Sequence, residues 1–201
     1  MVKKTNKKIT INKKLLNKIE IGLFVVIILI VILIFLNTMT LSREKALKIA
    51  EEVYFKTEQV ISKLDLSTNW ISVSNECIDT DLGRACKSNQ KGLLKYSELE
   101  KHIKEMCTQD FTNEILKNKE NIFKNIGENL YVVPLERNKD VFYEGVQEIV
   151  VKEISAKEII CTIVCNYYVE LGEEKLFTMP FEFVIKKQGF TWKTDFFELP
   201  Y

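Results

Sequence analysis

The order of apolar and polar positions divides the chain into three regimes. The first is a run from Ile21 to Leu41 in which no residue is charged, dense in β-branched and large apolar side chains as far as Leu36. Its 21 positions make about 31 Å of helix at about 1.5 Å per residue, enough for a hydrocarbon core of about 30 Å. A helix without a polar face has no favourable way to lie on a globular surface, so the run predicts a transmembrane helix over residues 21–41. It is longer than the apolar region of a signal peptide. The following Asn37-Thr38-Met39-Thr40 also lacks a small-residue cleavage pattern, so the helix is expected to persist as an anchor.

The second regime has helical spacing. Ser42 is a candidate N-cap with Glu44 in the first turn, and Ala46, Leu47, Ala50, Val53, Tyr54, Val60, Ile61 and Leu64 recur three and four positions apart. These predict an amphipathic helix of about 22 residues. Residues 65–95 are polar and read as irregular, apart from a short strand-like Trp70–Val73. Ser97-Glu98-Leu99-Glu100 reads as a capping box that starts a helix to about Cys107. A short helix over Phe111–Asn118 then turns Phe111, Ile115 and Leu116 inward, and Leu130–Leu135 reads as a strand that Pro134 confines to an edge or an end.

From Val146 the period becomes two. Strands are predicted at Val146–Ile154, Glu158–Leu171, Lys175–Lys187 and Phe190–Leu199, with turn signals at Gly172-Glu173 and Gln188-Gly189. The third places Phe177, Met179, Phe181, Phe183 and Ile185 on one face, and the fourth groups Phe190, Trp192 and Phe196. Connections this short favour antiparallel hairpins. The predicted fold class is therefore α+β: a transmembrane helix, then N-terminal helices packed on a curved antiparallel sheet of about four strands.

Charge adds an orientation. Seven lysines (Lys3, Lys4, Lys7, Lys8, Lys13, Lys14, Lys18) occupy residues 1–20 with Glu20 as the one acid, while the far side of the apolar run opens on the mixed Arg43-Glu44-Lys45. Basic residues beside a span stay cytoplasmic, which predicts a cytoplasmic tail 1–20 and an outer domain 42–201 at the cell membrane. Of 29 basic and 28 acidic side chains, the tail takes seven and one, leaving 22 against 27 in residues 42–201. That acidic balance gives no electrostatic reason to expect a nucleic-acid partner.

The residues that carry chemistry are sparse. Cys77 and Cys86, nine positions apart in a polar stretch, are candidates for a disulfide outside the cytoplasm. Cys161 and Cys165 share a strand face with Ile163, Tyr167 and Val169, but a spacing of four on a strand is about 13 Å, too far for one metal or one disulfide. They read as buried free thiols, while Cys107 has no clear reading. His102, the one histidine, lies on the polar side of a predicted helix, which leaves no histidine triad or multi-histidine zinc site. Asp79-x-Asp81-x-Gly83 lacks the rest of a calcium loop, and the seven glycines are scattered rather than gathered in a phosphate loop. Of the carboxylates, Glu170 and Glu182 fall within strands, and Glu182 lies opposite Phe181 and Phe183. No catalytic, cofactor or metal set emerges, so a binding role rather than an enzyme is expected. Tyr168, Phe197 and Tyr201 are the candidates for partner contact.

Helices followed by a meander ending in Trp192-Lys193 resemble the cystatin-like, nuclear-transport-factor-like superfamily. More narrowly, Tyr96-Ser97-Glu98-Leu99-Glu100, Cys107-Thr108-Gln109-Asp110-Phe111-Thr112 and Asn129-Leu130-Tyr131 resemble the DL-endopeptidase inhibitor family of Gram-positive bacteria. So does the ending Gly189-Phe190-Thr191-Trp192-Lys193-Thr194 with Phe197-Glu198-Leu199-Pro200-Tyr201. The resemblance covers about residues 90–201 and implies an inhibitor that plugs the cleft of a peptidoglycan hydrolase. The lysine tail, the anchor and the Cys77–Cys86 stretch depart from a simple secreted form. A short tail, one helix and an outer domain also resemble scaffold subunits of conjugation and type IV secretion machines, and the superfamily's cone-shaped cavity leaves a small-ligand-binding domain as a third expectation.

Overall fold

An apolar run without a polar face makes helix where it is seen: residues 22–33 form α1, and every large apolar side chain from Leu23 to Leu33 is 42–64% exposed. The computed structural model describes residues 22–33, 41–81, 83–170 and 176–201. No helix among the described residues is long and apolar enough to cross a membrane. Of the expected span, residue 21 and residues 34–40 lie outside the described residues, as does the lysine-rich tail 1–20. The chain divides into two units, Met1–Met39 and Thr40–Tyr201.

The second unit is α+β, with two four-stranded antiparallel sheets where one was expected. It opens with α2, Arg43–Leu66, capped by Ser42, whose hydroxyl accepts the Lys45 N–H at 3.3 Å. Ala46, Ala50, Tyr54, Thr57, Ile61 and Leu64 are buried along it, spaced four, four, three, four and three apart, so one stripe faces the core. At its start Arg43 donates to the Val151 carbonyl at 2.6 Å.

Residues 65–95, expected to be irregular, instead contain the hairpin β1 (Val73–Thr80) and β2 (Gly83–Ser88). Trp70, assigned to a strand by its sequence, sits in the turn before it. Most of β1 is exposed on both faces, so no apolar alternation marks it as a strand. Helix α3 runs Tyr96–Met106 and begins before the expected Ser97. Glu98, rather than Glu100, closes its first turn by accepting the N–H groups of Leu94 (2.7 Å) and Lys95 (3.0 Å). Glu100 points elsewhere, pairing with Lys104 one turn on at 3.2 Å. Helix α4, Gln109–Asn118, is capped by the Thr108 hydroxyl and buries Phe111, Ile115 and Leu116.

Strands β3 (Phe123–Ile126) and β4 (Asn129–Val132) complete the first sheet, in the order β1-β2-β4-β3. They are joined by Gly127 and Glu128 at φ of 55° and 67°, the left-handed pair that a two-residue hairpin of type I′ requires.

The second sheet is the meander β5 (Tyr143–Ile154), β6 (Glu158–Tyr168), β7 (Leu176–Gln188) and β8 (Thr191–Phe197). Strand β6 alternates between buried and half-buried residues along its whole length, placing Ile159, Cys161, Ile163, Cys165 and Tyr167 against the core. Strand β8 departs from strict period two. Val184 pairs with Phe196 but Ile185 pairs with Thr194, so Asp195 is the extra residue of a bulge. A bulge moves the next side chain to the opposite face. Thr194 and Phe197 therefore point inward, Phe196 is 36% exposed, and Phe190 stands in the turn at 87% exposure. The expected grouping of Phe190, Trp192 and Phe196 does not form.

Candidate functional site

The helix stripe and the second sheet share one core, but only part of the sheet is covered. Along the inner face of β7, Phe183 and Ile185 are fully buried while Phe177 and Met179 are 44% and 41% exposed. Register aligns Tyr143 with Tyr167 and Tyr167 with Phe177, so three strands carry one aromatic row. Tyr143 meets Tyr167 edge-on at 5.6 Å, and Tyr167 stacks on Phe177 at 5.5 Å. Tyr201 extends the row with its ring 4.7 Å from Tyr143, while the Tyr167 hydroxyl donates to the Pro200 carbonyl and holds this segment down. The Tyr201 hydroxyl donates to Glu58 on α2. Lys139, in the connection between β4 and β5, places its ammonium 3.8 Å from the Tyr201 ring centre, 5.8 Å from that of Tyr143 and 3.5 Å from Glu58 Oε1.

Burial pushes the Tyr167 phenol up to about 12. The phenols of Tyr54, Tyr143 and Tyr201 are also raised by burial; for Tyr201 the hydrogen bond to Glu58 adds to it. All four stay neutral in ordinary buffers, where they can donate hydrogen bonds and offer ring faces to a cation but cannot act as bases.

Beside this row α2 and β5 enclose an open groove of about 440 Å³. Its walls include the carboxylates of Glu51, Glu58 and Glu148 and the apolar faces of Phe55, Tyr143 and Val146. At the same end of the sheet Val141, Phe142, Val169, Leu176, Phe177 and Met179 are 38–62% exposed. The surface is aromatic, apolar and edged by acids, and can hold a chain or side chain by contact and charge.

The residues singled out from sequence fall at different places. Tyr168 is half-buried at the end of β6 opposite Leu176, among the exposed apolar side chains, and Tyr201 belongs to the tyrosine row. Phe197, expected at the surface, is 6% exposed and packs edge-on against Tyr54 and Phe183, because the β8 bulge turns it inward. Cys77 and Cys86 lie directly opposite on β1 and β2 and are joined by a disulfide. Cys107, Cys161 and Cys165 are free and buried, which pushes Cys107 up to about 12 and the other two to about 11, so they hold little thiolate near neutrality. His102 is half-buried, its ring 6.1 Å from Trp70. Asp79 pairs loosely with Arg84 at 4.0 Å, and Asp81, Glu170 and Glu182 are exposed. Among the described residues no group of three His, Cys, Asp or Glu side chains could hold a metal ion.

Sequence reasoning missed Glu58, Lys139, Tyr143 and Phe177 as members of one site. They come from a helix, a connection and two different strands, and no local pattern links them. Compared with known proteins, the chain matches no family model and no curated protein.

Proposed function

We propose that this chain is a membrane-tethered domain on the outer side of a bacterial envelope that binds and restrains a peptidoglycan hydrolase of the DL-endopeptidase class. The observation that carries the binding role is the uncovered end of the second sheet. Six large apolar side chains there are 38–62% exposed, near an acidic groove, whereas Ile163, Phe183 and Ile185 further along the inner face are fully buried. Exposed apolar surface of this kind costs solvation free energy unless a partner covers it. The filled interior, with Tyr54, Phe183 and Phe197 packed ring against ring, favours recognition on the surface over an enclosed small-ligand cavity.

Two further features support the location. The Cys77–Cys86 disulfide is the chemistry of an oxidising compartment. The all-round apolar side chains of α1 need a surrounding as apolar as themselves, which lipid supplies. One helix stripe set on a four-stranded meander supports the cystatin-like, nuclear-transport-factor-like reading of the second unit, with β1–β4 as an addition to that plan. The resemblance of residues 90–201 to the inhibitor family supplies the hydrolase class.

The test is to add the full chain, in mild detergent, to purified wall endopeptidases and to follow cleavage of a stem-peptide substrate. Inhibition that Phe177→Asp weakens at least tenfold is the expected result. Neither inhibition nor complex formation with any of them would sink the proposal, and co-purification with envelope secretion subunits instead would point to a scaffold.

A further inference from the structure

An ammonium group already occupies one corner of the candidate site, and it comes from the chain itself. Lys139 Nζ lies 3.8 Å from the centre of the Tyr201 ring and 5.8 Å from that of Tyr143, with Glu58 Oε1 at 3.5 Å. Two ring faces and one carboxylate are what a primary ammonium binds best, because the ring quadrupoles and the anion both present negative potential. The receiving groups are fixed from three sides. Glu58 is on α2, Tyr143 on β5, and Tyr201 is held by its hydroxyl on Glu58 and by the Tyr167 bond to Pro200.

The occupant is held less firmly than the receptor. The Lys139 side chain is 48% exposed, whereas that of Glu58 is 23% exposed. Lys139 belongs to the stretch between the Ser67–Glu136 bridge and β5, where it takes part in no strand pairing. The groove continues from the same residues along α2 and β5, with Glu51 and Glu148 adding two more carboxylates and Phe55 and Val146 adding apolar walls.

From these observations we infer that Glu58, Tyr143 and Tyr201 form a receptor for the primary ammonium of a lysine-type peptide side chain, and that Lys139 is its displaceable internal occupant. A ligand whose ammonium enters this corner lays its aliphatic stem and flanking peptide along the acidic groove. Lys139 then swings into solvent at little cost, since its own contacts are half exposed. The site selects an alkylammonium over a neutral side chain of the same length. It also selects against anionic ligands, because none of the groove carboxylates would be compensated. The recognition depends only on this corner, so it can be tested without knowing which envelope protein the domain binds.

The experiment uses the full chain in detergent micelles and Nα-acetyl-lysine methylamide as probe, with Nα-acetyl-norleucine methylamide as the neutral control. Binding is followed by calorimetry and by saturation-transfer NMR on the probe. Lys139→Met removes the internal charge and keeps the stem; it is expected to tighten lysine-probe binding about tenfold, as removal of a competing occupant does. Glu58→Gln in the Lys139→Met background is expected to abolish that gain, and added salt to weaken it. Equal binding of both probes by Lys139→Met, or no gain over the parent chain, overturns the inference. Lys139→Gln, run beside it with circular dichroism on each variant, separates loss of the site from loss of the fold and must show the same gain.

Discussion

At the scale of single residues, the stripe on α2 contains one polar member. Thr57 is fully buried and its hydroxyl meets that of Thr194 at 2.6 Å, each supplying what the other needs. Thr57→Val keeps the shape but leaves the Thr194 hydroxyl alone, and should cost about 1–2 kcal/mol in denaturant unfolding. Adding Thr194→Val should return most of that loss, so the two changes are expected to be strongly non-additive. The tyrosine row makes a second residue-level prediction. A phenol raised by burial favours folding in its neutral form. Its contribution is complete below the unfolded value of about 10 and is lost as pH rises through the folded one. With Tyr167 at about 12 and Tyr54, Tyr143 and Tyr201 raised as well, tyrosinate absorbance should lag during an alkaline titration. The lagging fraction should then appear together with loss of near-ultraviolet dichroism above about pH 10, and early, independent ionisation of all seven tyrosines would contradict the buried row.

At the scale of elements, the β1–β2 hairpin and the β5–β8 meander are held by different forces. The meander buries β6 along its length, whereas β1 has almost no buried side chain and is closed by Cys77–Cys86 across a separation of nine residues. A loop that short is worth about 2.5 kcal/mol when closed. Cys77→Ser with Cys86→Ser should therefore speed amide exchange in β1 and β2 while leaving β6 and β7 protected. Between β3 and β4, Glu128 holds φ at 67°, which glycine or asparagine adopts with less strain. Glu128→Gly should raise stability by about 0.5–1 kcal/mol, read as a higher thermal midpoint, because its exposed ion pair with Lys95 at 3.4 Å contributes little.

At the scale of the whole molecule, the envelope location proposed above rests on the apolar helix and the disulfide. The full chain should stay with the membrane fraction after an alkaline carbonate wash, and a chain starting at residue 42 should be released from it. Much of the fold of residues 42–201 was legible in the sequence because it depends on near neighbours. The stripe on α2, the inward Phe111, Ile115 and Leu116, and the meander of four strands follow from spacings of two, three and four residues. Those spacings fix which face each side chain occupies before any distant contact forms. Contacts between distant segments decided the rest. The β1–β2 hairpin carries no apolar alternation, since pairing and a covalent bond replace burial there. The bulge at Asp195 reversed the faces of Phe196 and Phe197, one inserted residue being enough to undo a period of two. The meeting of Glu58, Lys139, Tyr143 and Tyr201 exists only once a helix, a connection, a strand and the last residue of the chain are folded onto one another.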